Sequence, residues 1–210
     1  MLLRDPRTEL AFLEVARGGI LRRGIPIDSV DAVLITNVAS DHLGQYGINT
    51  VEELAETKFV VAKGLNANGA LVLNADNELV IQQGLTLDKK ICWYSTDELN
   101  PLIQSQLSSG GAAVFIRENH IVYAVGKEEE DIAALEHVPM TLNGAAQHNV
   151  QNALGVVGLS KALNMPTQSI RTGLKDFGSN AQDNPGRGNI YEINGIKVLV
   201  DFAHNEHSMR

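Results

Sequence analysis

The stretch Asp31–Gly44, DAVLITNVASDHLG, decides the fold. Its first half is an aliphatic run of the length and β-branched character of a buried strand. The run ends in Thr36-Asn37, and four residues past Asn37 an acid stands beside an imidazole, Asp41-His42. A connecting loop needs only Gly, Pro or Ser. A carboxylate next to a histidine therefore points to a bound cation or a proton transfer, provided other parts of the chain bring partners.

Working outward, ELAFLEV (residues 9–15) reads as a second buried strand upstream. Downstream, residues 50–65 read as a helix opened by the capping-box pair Thr50 and Glu53. GALVLNAD (69–76) follows as a strand and a turn. This order is that of βαβ units on a parallel sheet. Between residues 89 and 125 the runs KICWYS, AAVFIRE and HIVYAVG are short, with a turn at RENH, and predict a small antiparallel subdomain attached to the main sheet. KEEED (127–131) reads as a solvated loop or first helical turn. Helices are expected over 146–163 and 167–176, and GSNAQDNPGRG (178–188) has the composition of a linker. Beyond it, NIYEI-NG-IKVLVDF carries a hairpin signal with Asn194-Gly195 at the turn. The fold class is thus α/β: a mostly parallel sheet with flanking helices, a small antiparallel part, and the opening of a further domain.

Composition narrows the partners. Seventeen basic and 25 acidic residues give a net charge of −8, and no Lys/Arg run exceeds two. Nucleic acid and anionic membrane surfaces are excluded as main partners, because both demand clustered positive charge. Cys92 is the one cysteine, so intramolecular disulfides and cysteine-rich zinc sites are excluded as well. No apolar run approaches the ~18 residues of a membrane span, and the expected location is the cytoplasm.

Four further sites carry polar residues where the pattern calls for apolar ones. Glu14 falls at the carboxyl end of the predicted strand 9–15, where ligands of open α/β sheets bind. It is either paired with Arg17 or Arg22, or free to hold a cation. Lys58 interrupts the apolar stripe Leu54, Ala55, Ala62, Leu65 of its helix; it either snorkels to water or faces a site. His148, Asn149 and Asn152 share one arc at the start of the 146–163 helix. That arc continues into Gly155, Val156 and Leu159, so the two amides are expected to be covered and to need a backbone or ligand partner. Arg187 lies in the linker, and Asp201, His204 and Asn205 follow the last strand.

Taken in order, EVARGGILRRG, TNVASDHLG, the Lys58 helix, HNVQNAL, NPGR and VDFAHN resemble the Mur ligase superfamily of ATP-dependent amide ligases. EVARGGILRRG is most similar to the branch of the cyanophycin synthetases. The resemblance implies a Mur-ligase central-domain fold with ATP and Mg2+ as cofactors. It implies Glu14 and His42 as magnesium ligands and Lys58 as the position that several Mur ligases carry as a carbamate. It implies Asn149 and Asn152 near the adenine, Arg187 near the terminal phosphate, and Asp201 as a ribose or hinge contact. The partners implied are ATP, arginine and an aspartate-containing polymer. The family's G-T-x-G-K-T phosphate loop has no counterpart in this sequence. The expectation is therefore an internal slice: residues 1–180 a partial ATP-binding domain without that loop, and residues 185–210 the start of the C-terminal ligase domain. Such a slice would be inactive alone, working with the missing parts of the synthetase or as a homo-oligomer. Two alternatives stay open: a non-catalytic Mg-nucleotide-binding remnant, and a metal-dependent hydrolase built on Glu14, Asp41, His42 and His204.

Overall fold

The computed structural model describes residues 5–41, 43–178 and 182–202. Its centre is a six-stranded sheet in the order β1 (Val30–Ile35), β2 (Leu65–Asn74), β3 (Lys90–Ser95), β4 (Ala112–Arg117), β5 (His120–Val125) and β6 (Glu128–Ala134). The strands β1 to β4 run parallel, with Ile35 opposite Leu73, Leu73 opposite Trp93, and Trp93 opposite Ala113. Each parallel step is bridged by a helix: α2 (Val51–Phe59), α3 (Glu78–Gly84) and α4 (Pro101–Ser108). Right-handed crossovers in a sheet that grows in one direction put all three helices on one face. There Leu54, Ala55, Phe59, Val80 and Ile103 bury against Leu71, Leu73, Trp93 and Phe115.

The strand period of two sends Val72, Cys92, Tyr94 and Val114 to the opposite face. That face is covered by α5 (Gln147–Ala162) and α6 (Thr167–Asp176), through Val150, Ala153, Leu154, Val157, Ile170 and Leu174. Helix α5 lies close on the sheet because two of its residues have no side chain. A Cβ on Gly155 would stand 3.0 Å from Leu34 Cδ1, and one on Gly158 would stand 2.7 Å from Val72 Cγ1. The same contacts orient the helix. Gly155 meets Leu34 and Tyr94 near the carboxyl ends of β1 and β3, whereas Gly158 meets Val72 and Cys92 further back. Helix α5 therefore runs against the parallel strands and its N-terminus points to their carboxyl rim.

The predicted α/β class, the helix at residue 50 and the two late helices all appear, and Thr50 and Glu53 form both bonds of the capping box. Three expectations need correction. KEEED is neither loop nor helix but most of β6, where Glu130 is held by Lys161 and Thr167, and Glu129 by Arg117. Cross-strand pairing outweighed the low strand propensity of glutamate. Between residues 89 and 125, β3 and β4 extend the parallel set, and antiparallel pairing begins only at β5. Helices α3 and α4, unforeseen in sequence, supply the crossovers that parallel pairing demands; Asn77 and Asn100 cap them. Finally, residues 9–15 form no strand. Leu10, Phe12, Leu13 and Val15 are all exposed, because β1 is the last strand of its ladder and no described strand lies beyond it.

A short helix α1 (Arg17–Arg23) follows that segment. At the other end, β7 (Asn189–Ile193) and β8 (Ile196–Val200) form a separate hairpin, turning at Asn194-Gly195 with φ +52° and +78°. These are the values of the tight turn that Asn-Gly favours. Ile190, Ile193, Ile196 and Leu199 stand exposed on it. No described helix is long and apolar enough to cross a membrane.

Candidate active site

The carboxyl rim of the parallel strands gathers four of the polar residues singled out above: Asp41, Lys58, Asn149 and Asn152. Past Ile35 the chain leaves the ladder, so the carbonyls of Thr36, Asn37 and Val38 need donors from elsewhere. Lys58 provides one: its Nζ donates to Asn37 O at 3.0 Å. The lysine is reached from α2, whose other inward residues Leu54 and Ala55 are buried. Lys58 thus reaches the carbonyl end of β1, where its sequence pattern leaves snorkelling to water and facing a site both open. Burial lowers its pKa from the ordinary lysine value; Asp41 opposes that shift electrostatically, and Arg17 adds to it. Arg17, Asp41 and Lys58 consequently share one electrostatic neighbourhood, with two cations about one carboxylate.

Arg17 is placed from the other side. Its guanidinium donates to Gln45 Oε1 at 3.1 Å and lies 6.0 Å from the centre of the Tyr46 ring, over which Arg22 also stands at 5.8 Å. The two arginines are thereby turned to the loop after Asp41. Glu14 stands three residues before Arg17 in the unpaired segment and is exposed. No described strand carries it to a sheet edge, and its side chain is open to water. His42, His204 and Asn205 lie outside the described residues.

Asn149 and Asn152 occupy the first turns of α5, at its rim end. Asn149 Nδ2 donates to Met140 O at 2.7 Å, and Asn152 Nδ2 reaches Asn149 Oδ1 at 3.5 Å. Of the two partners foreseen for these amides, a backbone or a ligand, the backbone takes Asn149. The arc is less covered than expected: both asparagines are half-buried and Val156 is exposed, because no described element packs over that side of α5. An open, amide-bearing helix start at the rim is free to accept the polar edge of a ligand.

Arg187 and Asp201 are brought together, though by other contacts than those foreseen. Arg187 lies against the Phe202 ring at 5.3 Å, and Asp201 accepts a hydrogen bond from Gly188 N at 2.7 Å. The linker is thus fastened to the end of β8. Two residues at the rim were missed in sequence: Tyr94, whose hydroxyl donates to Thr36 O, and Asn77, whose amide donates to Val38 O. Tyr94 hides inside an apolar run, where only the need of a buried phenol for a partner signals it. Asn77 follows a strand in NADN, where the same residue also caps α3.

Among the described residues no three His, Cys, Asp or Glu side chains come together, and Asp41 is the carboxylate in the neighbourhood of Lys58 and Arg17.

Comparison with known proteins gives the family. Cyanophycin synthetase of Geminocystis herdmanii is 37% identical over 205 residues, which are 98% of this chain and 24% of that protein. The enzyme of the same name from Crocosphaera subtropica is also 37% identical, again over 98% of this chain and 24% of its own length. The chain therefore spans about a quarter of these relatives. Among solved structures, MurF from Acinetobacter baumannii superposes with a TM-score of 0.58 at 19% identity, over 85% of this chain and 35% of that one. The Mur ligase middle domain model matches residues 1–160, and the chain belongs to the Mur ligase middle-domain family.

Proposed function

We propose that this chain supplies the cation- and adenine-facing rim of an ATP-dependent acid–amino acid ligase of the cyanophycin synthetase type. The observation that carries the reading is the match to cyanophycin synthetases over 98% of the chain. The position of Lys58 and Asn149 at one carboxyl rim supports it. In this reading residues 1–180 belong to the ATP-binding domain and residues 185–210 open the next one.

The reaction would run in two steps. ATP phosphorylates a carboxylate, and an amine then attacks the acyl carbon and expels phosphate, leaving an amide. Glu14, His42 and Asp41 would hold magnesium, which would offset negative charge on the phosphates. Asn149 and Asn152 orient the adenine through amide donors and acceptors. Lys58 adds positive charge beside Asp41 as an ammonium; as a carbamate it would add an anionic ligand instead. Arg187, on the linker, is the cation that reaches the terminal phosphate when the hairpin closes on the rim, and its permanent charge suits phosphate at any pH. The substrates expected are arginine and the side-chain carboxyl of an aspartate-containing polymer.

The sequence contains no Gly-Lys-Ser/Thr loop, so the reading predicts that the purified chain forms no amide alone. Addition of a polypeptide carrying that loop, and of the C-terminal ligase domain, should restore ATP-dependent incorporation of arginine. Calorimetric titration with Mg-ATP tests the rim itself. Heat at millimolar ligand, lost in Asn149→Leu, is the expected result; no heat would favour a remnant without nucleotide affinity.

A further inference from the structure

Two tight turns in this chain share one backbone form and differ in one side chain. Asn194-Gly195, at the tip of the β7–β8 hairpin, has φ +52° and +78°. Tyr46-Gly47 has φ +56° and +79°, and its loop is closed by Ile48 N donating to Gln45 O at 3.2 Å and Gly44 N donating to Ile48 O at 2.7 Å. Two successive positive φ values favour Asn-Gly, and a bulky tyrosine at the first of them is strained. Packing does not offset that strain, because Tyr46 is 54% exposed. A strained residue kept without burial points to a use for its side chain.

What the ring touches is charge. The guanidinium carbons of Arg17 and Arg22 lie 6.0 Å and 5.8 Å from its centre. Both arginines come from α1, where RGGILRR carries three arginines and no acid in a chain of net charge −8. Arg22 is pinned by the ring and by its Nε, which donates to Gly18 O at 2.8 Å. Among the described residues its two terminal nitrogens make no hydrogen bond, and the residue is exposed, so an open fork of donors is set in place. Arg17 continues the row inward, since its charge acts on Lys58, whose Nζ is fixed at Asn37 O. Three cations thus follow one another from the carboxyl rim out to α1.

We propose that Tyr46 is a platform that holds Arg17 and Arg22 as a clamp for carboxylates, and that the ligand is an acidic polypeptide led along this row to the rim. Guanidinium forks match planar carboxylates. Cations set in a row suit an extended chain with repeated acids better than one compact anion. The excess of acids elsewhere on the chain would repel such a ligand, so its approach requires a local patch of the opposite sign. That this polypeptide is the acid substrate rests on the ligase reading proposed above; the clamp itself stands on the turn and the two arginines.

The probe is a fluorescently labelled oligo-aspartate peptide, titrated with the full chain at low salt and followed by anisotropy. The parent should bind it, and more weakly as salt rises. Arg22→Gln should weaken binding about 5-fold, the scale of one exposed ion pair. Tyr46→Asn copies the Asn194-Gly195 turn, so its urea midpoint should hold or rise while peptide binding falls by a similar factor. Full affinity in Tyr46→Asn, or a lowered midpoint, would overturn the platform, since the ring would then be idle or serve the fold. Displacement of the peptide by millimolar inorganic phosphate at constant ionic strength would assign the row to phosphate groups and overturn the acidic polypeptide. A parent that gives heat with Mg-ATP but ignores the peptide would overturn the inference alone. Peptide binding without Mg-ATP heat would uphold the clamp and overturn only the ligase reading.

Discussion

Substituting Gly158 and Gly173 by alanine should have opposite effects, although both lie in helices of the same face. Alanine is favoured over glycine in a helix interior by about 0.8–1 kcal/mol. Gly173, in α6, has nothing within 4 Å of its would-be Cβ, so Gly173→Ala should show this gain. Gly158 is where α5 touches the sheet. Its added methyl would stand 2.7 Å from Val72 Cγ1, 3.5 Å from Val114 Cγ2 and 3.6 Å from Cys92 Sγ. Ordinary carbon contacts begin near 3.5 Å, so helix and strand must part by the better part of an ångström. Val72 is fully buried at the centre of β2 and has no room to yield. Overpacking of this kind costs about 1–3 kcal/mol. Set against the propensity gain, Gly158→Ala should be destabilised by up to about 2 kcal/mol. Urea unfolding followed by the fluorescence of buried Trp93 reads both variants on one scale. If Gly158→Ala is as stable as the parent, or shifts in the same direction as Gly173→Ala, then α5 is not held against the sheet by that contact. The placement of Asn149 at the rim would fall with it.

Three other outcomes follow from particular contacts. Because burial depresses the Lys58 pKa, the unfolded chain binds that proton more tightly than the folded one, and stability must rise as pH climbs through the depressed value toward the ordinary lysine range. The urea midpoint of the parent, measured with chelator present, should therefore gain on that of Lys58→Met between pH 7 and pH 10; a loss would contradict the burial. The Asp76 carboxylate accepts from the Ser95 hydroxyl, the Thr96 amide and hydroxyl, and Asn100, tying the exits of β2 and β3. Asp76→Ala should cost on the order of 1–3 kcal/mol in thermal unfolding, and an unchanged midpoint would show the network to be replaced by water. Glu14→Gln in the chain alone should leave Mg-ATP heats unchanged, since Glu14 sits in an unpaired segment; a large loss would place it in the site already.

The parallel core was legible because its signals are local. DAVLI, the Thr50–Glu53 box and GALVLNAD each carry a strand or cap pattern within a few residues, and the βαβ order follows from their succession. Lys58 was legible for the same reason: one charged residue in an apolar stripe is visible within two turns. What escaped reading depends on neighbours distant in sequence. KEEED became β6 only because Arg117, Lys161 and Thr167 meet its carboxylates. ELAFLEV has the apolar content of a buried strand, but a strand is made by its ladder partner, and propensity supplies none. Tyr94 and Asn77 bind carbonyls 58 and 39 residues away in sequence, and nothing in KICWYS or NADN announces such a reach.

The rim residues accordingly divide by what holds them. Lys58, Asn149 and the Thr36–Val38 exit are fixed by helices and strands of the six-stranded sheet, each through a hydrogen bond to a backbone carbonyl or as its acceptor. Glu14 and the pair Arg187–Asp201 belong to pieces with no such support: a segment lacking a ladder, and a two-stranded hairpin with apolar side chains in water. Two-stranded hairpins are marginal alone, and an unpaired apolar segment next to an open edge such as that of β1 is a template for strand addition. Both unsupported pieces therefore call for contacts that the six-stranded sheet does not provide. The same two pieces bear Glu14, assigned to the cation, and Arg187, assigned to the terminal phosphate, whereas Asp41 and the amides assigned to the adenine sit on the supported part. In the proposed reading, adenine recognition therefore rests on the six-stranded sheet and part of the phosphate chemistry on the less supported pieces. A chain of this kind can keep the first while waiting on other polypeptide for the second.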